Sequence, residues 1–265
     1  MELEITVVDA FTDSVFAGNP AAVIVTEQWL PDALMQSIAA ENNISETAFL
    51  VLAEAATYLI RWVSPLTEID FCGHATLASA FVLFNKNPEL TRIKFSAQAV
   101  GELSVEKTQS GKIQMNFPNT KPEKVEIIPE HLLAGLSIPP VDVYCNAQAY
   151  FVIYESESAV LSVQRNNESL QQLKPLDVVV TCRSESKHYD FISRYFWPAN
   201  GGDEDPVTGS IHTGLAPLWA ERLGKNELIA YQASKRGGVL SCLVSDDRVI
   251  ISGNAVQYLS GTITV

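Results

Sequence analysis

The sequence predicts an α+β fold of two pseudo-symmetric halves, each a helix wrapped by mostly antiparallel strands. Three observations carry this. Arg61-Trp62-Val63-Ser64-Pro65 returns 133 positions later as Arg194-Tyr195-Phe196-Trp197-Pro198, and Gly73 returns 136 positions later as Gly209, so the chain is internally duplicated. Each copy reaches a glycine where a helix can begin, and the first of these helices, about 74–84, is apolar nearly all round, as expected of a helix enclosed by sheet. Around them, apolar and polar residues alternate in short runs separated by Gly, Asn and Asp turns.

The elements follow in order. Residues 3–11 alternate as a strand, the turn-forming Gly18-Asn19-Pro20 follows, and 21–25 make a second strand. Pro31-Asp32 opens a helix with Leu30, Leu34 and Ile38 four apart, and Asn42-Asn43 ends it. Ser45-Glu46-Thr47 heads an apolar strand at 48–52, and 57–63 form another. Strands at 94–96, 103–106 and 112–117 close the first half. The Pro-, Lys- and Glu-rich segment 118–129 reads as a linker, which sets halves of 1–118 and 119–255, with 256–265 assigned to the first. The second half repeats the outline: a short helix near 130–136, a strand at 148–154, a helix-prone stretch at 168–173, strands at 178–182 and 191–197, and a helix from Ser210. Pro217 is expected to kink or end that helix. Strands at 228–232, 239–244, 248–252 and 262–265 complete the chain.

Composition limits the function classes. With 47% hydrophobic and 18% charged residues over 265 positions there is ample core for two domains, which argues against disorder. A formal net charge of -13, with 18 scattered Lys and Arg, argues against a nucleic-acid partner while leaving local sites for anions at helix starts. The first residues lack the basic and apolar regions of a secretion signal, and no apolar run approaches the roughly 20 residues that span a bilayer, so a soluble, cytoplasmic protein without a membrane partner is expected. Cys72, Cys145, Cys182 and Cys242 are widely spaced and read as free thiols. His131, His188 and His212 have no partners at metal-ligand spacing, so no metal is assigned, and no nucleotide-binding loop or nucleophile elbow is present.

Two stretches hold the polar chemistry: Asp70-Phe71-Cys72-Gly73-His74-Ala75-Thr76, and Asp203-Glu204-Asp205-Pro206-Val207-Thr208-Gly209-Ser210-Ile211-His212. Glu46, at a strand mouth among apolar neighbours, suits a general base, although a glutamate there can also be a plain cap or surface residue. His74 at a helix start suits a neutral hydrogen-bonding group or proton relay, or simply a cap. Asp205 with Thr208, Gly209 and Ser210 combines an acid, a rigid turn and backbone N–H groups, in keeping with either an anion cradle or a turn and cap. Cys72 reads as a stabilised thiolate or as an inert buried thiol.

The motifs Asp9-Ala10-Phe11, Phe16-x-Gly18-Asn19-Pro20-Ala21-x-Val23, Ser45-Glu46-Thr47-Ala48-Phe49, Phe71-Cys72-Gly73-His74-Ala75-Thr76 and Asp205-Pro206-Val207-Thr208-Gly209-Ser210 occur in register and together resemble the PhzF-like family of phenazine-biosynthesis isomerases. The resemblance implies a diaminopimelate epimerase-like fold, each half a barrel-like sheet around a central helix, with the active site in a cleft between the halves, a homodimer, and isomerisation without a cofactor. It implies Glu46 as the acid/base on a small carboxylate-bearing substrate, His74, Asp205 and Ser210 as assisting groups, and Gly73 and Gly209 as N–H donors, with Thr208, Cys72 and Asn19 in the binding set. The epimerase relatives use paired cysteines at the two helix starts; here 203–212 contains none. Two alternatives follow: a cysteine-assisted amino-acid racemase using Cys72 opposite Glu46 or Asp205, and a non-catalytic binder of small carboxylates.

Overall fold

The computed structural model describes residues 1–265. The chain divides into two compact units, 1–116 with 252–265, and 117–251. In the first, β1 (Glu2–Ala10) lies antiparallel to β2 (Asn19–Thr26), and β2 lies parallel to β3 (Glu46–Glu54) after the crossover helix α1 (Asp32–Asn42). Next come β4 (Thr57–Val63), antiparallel to β3, and the short β5 (Glu68–Ile69), antiparallel to β4. Helix α2 (Gly73–Lys86) then crosses to β6 (Arg92–Ala97), which runs parallel to β4, and β7 (Gly101–Lys107) and β8 (Ile113–Pro118) continue antiparallel. The two parallel pairs are the two joined through helices, because a hairpin cannot connect parallel strands.

Helix α2 is buried from Gly73 to Ala80 and again from Val82 to Phe84, and packs on β1, β2, β3 and β7. Its small residues allow the sheet close approach, while Leu77, Leu83 and Phe84 each contribute about 1.5–3 kcal/mol of apolar burial. The buried hydroxyls of Thr76 and Ser79 donate back to the carbonyls of Cys72 (2.6 Å) and Ala75 (2.7 Å), which lets polar residues sit inside an enclosed helix. Helix α1 covers a second cluster, with Met35, Ile38 and Ala39 against Ile5, Ile24, Phe49 and Val63.

The second unit opens with β9 (Glu123–Lys124), α3 (Glu130–Ala134), β10 (Asp142–Cys145) and β11 (Ala149–Ile153), the three strands pairing antiparallel in turn. Helices α4 (Glu157–Ser162) and α5 (Asn167–Leu170) precede β12 (Asp177–Arg183), which lies parallel to β11. Then β13 (Phe191–Phe196) pairs antiparallel with β12 and with β14 (Glu204–Asp205). Helix α6 (His212–Leu223) crosses to β15 (Glu227–Gln232), parallel to β13, and β16 (Gly238–Val244) and β17 (Arg248–Gly253) follow. The last strand, β18 (Ala255–Thr264), pairs with β1 along its whole length. The duplication therefore extends to connectivity: the parallel, antiparallel and crossover steps of β2–β3–β4–β5–α2–β6–β7 recur in β11–β12–β13–β14–α6–β15–β16.

Several elements differ from the sequence expectations. The final strand begins at Ala255 rather than 262, since pairing with β1 from Glu2↔Thr264 to Ala10↔Ala255 supplies the order that its polar residues and Gly261 do not. Strand β10 and helix α4 were not anticipated, and β9 lies inside the Pro-rich segment because it adds to the edge of β10. Helix α6 starts at His212, two residues late: the N–H groups of His212 and Thr213 bond to the carbonyls of Gly209 (3.1 Å) and Ser210 (3.0 Å), so the entry is a tight turn. Pro217 does not end the helix. Its missing N–H would leave the Thr213 carbonyl open, and the Thr120 N–H fills that place at 3.2 Å. No helix is long and apolar enough to cross a membrane.

Candidate active site

In the first unit, three separate chain segments converge at the start of α2. Gly18 has φ +65°, and a Cβ there would lie 2.2 Å from the Ala10 carbonyl oxygen, so the turn that delivers Asn19 to the head of β2 admits only glycine. Parallel pairing of β2 with β3 sets Glu46 opposite Ala21 at the mouth of the same sheet. Cys72 caps α2 in an extended conformation and makes no side-chain cap bond, so its thiol is turned elsewhere.

The thiol meets Glu46 and His74. The Nε2 of His74 lies 2.9 Å from Glu46 Oε2, Cys72 Sγ lies 3.5 Å from the same oxygen, and Sγ lies 3.3 Å from His74 Nδ1. Ser45 Oγ donates to Asn19 Oδ1 at 2.8 Å, which turns the Asn19 amide nitrogen toward His74 Nδ1 at 3.1 Å. With the amide nitrogen donating there, the ring proton is assigned to Nε2, which faces Glu46. The His74 and Glu46 side chains are 7% and 15% exposed, so these bonds act at low local dielectric while the carboxylate keeps one face to solvent. The carboxylate nearest in sequence, Asp70, is exposed. Glu46, 26 residues upstream of Cys72, takes the place beside the thiol.

In the second unit, Asp205, Thr208, Gly209 and Ser210 lie together at the entry to α6. Thr208 Oγ1 donates to Asp205 Oδ2. The fully buried Gln232 holds the turn, accepting the Thr208 N–H at 2.9 Å and donating to the Asp205 carbonyl at 3.0 Å and to Thr208 Oγ1 at 3.2 Å. Ser210 Oγ accepts from Gln148 at 2.9 Å. Tyr195 Oη is 3.3 Å from the same amide nitrogen and donates to Asp177 Oδ2 at 2.6 Å, while Asn200 donates to Asp177 Oδ1 at 2.8 Å. Burial pushes the Asp177 carboxyl above its usual range, the Tyr195 and Asn200 hydrogen bonds oppose that, and the charge of Asp205 adds to it. Burial pushes the His212 imidazole down to about 4, so the ring is neutral and its Nδ1–H donates to the Thr208 carbonyl at 2.8 Å.

Sequence reasoning singled out the residues of both helix starts and missed the side chains that hold the second: Gln148, Asp177, Tyr195 and Gln232. One signal was present. Asp177 heads β12 as Glu46 heads β3, each opposite an alanine of the preceding parallel strand, and each is followed by an apolar run.

The paired sheet-and-helix units belong to the epimerase-like α+β class of folds. A hydroxyproline epimerase from Agrobacterium vitis shares the fold, with a TM-score of 0.61 over 99% of this chain and 92% of that one at 10% identity. The chain belongs to the phenazine biosynthesis-like protein family, whose model matches residues 8–261. It is 45% identical to an uncharacterised isomerase from Pseudomonas aeruginosa over 99% of both chains. A PhzF-family phenazine biosynthesis protein from Enterococcus faecalis superposes with a TM-score of 0.93 at 42% identity, covering both chains completely. Family and relatives together support an isomerase-type function.

Proposed function

We propose that the protein is an isomerase that needs no cofactor and moves a proton between carbons of a small carboxylate-bearing substrate, with Glu46 as the acid/base. The observation that supports this most directly is the Glu46 carboxylate at the mouth of β3, held 2.9 Å from the Nε2–H of His74. Glu46 takes the proton from carbon, and the His74 N–H orients the carboxylate so that a lone pair stays available. Protonated Glu46 then returns the proton at the second carbon. The amides at Gly73 lie where a developing negative charge is favoured by a helix start. Asp205, Thr208, Gly209 and Ser210 are assigned to hold the substrate's carboxylate or enol, a role that rests on the duplication and on the family resemblance.

Small carboxylates incubated with the protein in deuterated water, followed by NMR, test this reading. A substrate should gain deuterium at carbon, and Glu46→Gln should lower the exchange about 10³-fold. Full exchange in Glu46→Gln would remove Glu46 as the base. Contact of Cys72 with both Glu46 and His74 favours a second reading, a racemase in which the thiolate works one face of the carbon. An inactive Cys72→Ala beside an active Glu46→Gln selects it.

A further inference from the structure

We infer that Glu46, Cys72 and His74 form a binding site for a thiophilic divalent metal ion of the Zn²⁺ class. One carboxylate oxygen, one thiol sulfur and one ring nitrogen lie within 4.8 Å of one another. The separations are 2.9 Å from His74 Nε2 to Glu46 Oε2, 3.5 Å from Cys72 Sγ to Glu46 Oε2, and 3.9 Å from Cys72 Sγ to His74 Nε2. A tetrahedral ion with bonds of about 2.0–2.3 Å separates its N, O and S ligands by about 3.3–3.6 Å, so shifts of a few tenths of an ångström bring all three donors onto it. Sulfur and imidazole donors select Zn²⁺ or Co²⁺ over Mg²⁺ and Ca²⁺, which prefer oxygen alone.

Coordination is balanced by proton movements within the cluster. The Cys72 thiol gives its proton to solvent as the Sγ–metal bond forms. The His74 ring proton passes from Nε2 to Nδ1, freeing the Nε2 lone pair. A flip of the Asn19 amide then presents Oδ1 to Nδ1–H and its NH₂ to Ser45 Oγ, so the orienting partner survives in the metal-binding tautomer. The fourth position is left for water or for an oxygen of a carboxylate ligand. A bound ion uses the Glu46 lone pair, so it should also stop proton transfer. That consequence rests on the isomerase reading; the binding does not.

Co²⁺ titration of the full chain, read by absorption, separates the two. Saturation at one equivalent per chain, with a thiolate-to-cobalt charge-transfer band, is the expected result, and Zn²⁺ should displace the cobalt. Cys72→Ser should abolish the band and weaken Zn²⁺ binding about 100-fold or more, because even partners one bond removed from a metal cost 10–100-fold. Cys145→Ser, which alters a half-buried thiol of the second unit that is not among the three donors, should keep both. If Cys72→Ser does not fold, Glu46→Gln serves in its place and should weaken binding similarly. No band, or one lost only in Cys145→Ser, overturns the site. Tight binding that leaves deuterium exchange unchanged keeps the site and removes Glu46 as the base.

Discussion

The two units use one plan for opposite ends. Each places a carboxylate at the first residue of a strand, opposite an alanine of its parallel neighbour: Glu46 in the first and Asp177 in the second. Glu46 meets a thiol and an imidazole and keeps solvent access, whereas Asp177 is buried and tied to Tyr195 and Asn200. Each unit also places a histidine at its helix start. His74 points a proton at Glu46, while His212 is enclosed beside Phe191 with its Nε2 unpartnered. A duplicated backbone thus supplies matching positions, and the residues in them differ: polar groups face one another near solvent in the first unit and are sealed and paired in the second.

The comparison breaks first at Glu46. A loss of about 10³-fold in proton exchange in Glu46→Gln, with an unchanged melting temperature, would place chemistry in the first unit. An equal loss in Asp177→Asn with intact stability would erase the distinction. The next largest effect concerns the histidines. His212 has its pKa pushed down to about 4, so the unfolded chain binds its proton at higher pH than the folded one. Its stability contribution is complete above about 6.5 and is lost as pH falls toward 4, on the order of 3 kcal/mol in all. Urea unfolding across that range should show the slope, and His212→Leu should flatten it.

Asp177→Ala should cost about 2 kcal/mol by leaving the Tyr195 hydroxyl and Asn200 amide without their acceptor, measured by denaturant melts at pH 7. Part of that cost is offset because the buried carboxyl also loses its desolvation penalty. The last contrast is between two matching ion pairs, each an arginine forked on a glutamate of the next short strand. Arg61 with Glu68 is 25% and 45% exposed, and Arg194 with Glu204 is 14% and 17% exposed. Arg194 also donates to the carbonyls of Val160, Leu161 and Val163. Arg194→Ala should therefore destabilise by about 3 kcal/mol and Arg61→Ala by about 1 kcal/mol or less; equal values would mean that burial does not distinguish the pairs.

Much of this organisation was legible in the residues themselves. The 133- and 136-residue offsets expose the duplication, the run after Gly73 identifies an enclosed helix, and Gly18, Glu46, Cys72 and His74 stand in recognisable local settings, because turn chemistry, hydrophobic periodicity and helix starts are short-range properties. Only tertiary structure decided which carboxylate serves the thiol. Asp70 is two residues from Cys72 and exposed, and Glu46 arrives through the parallel pairing of β2 with β3. The same holds for the buried supports of the second helix start, and for Pro217, whose vacant hydrogen bond is filled by Thr120 from 97 positions away. Contacts of that separation are set by how strands pair across the sheet, and a linear pattern carries no record of which distant donor reaches which acceptor.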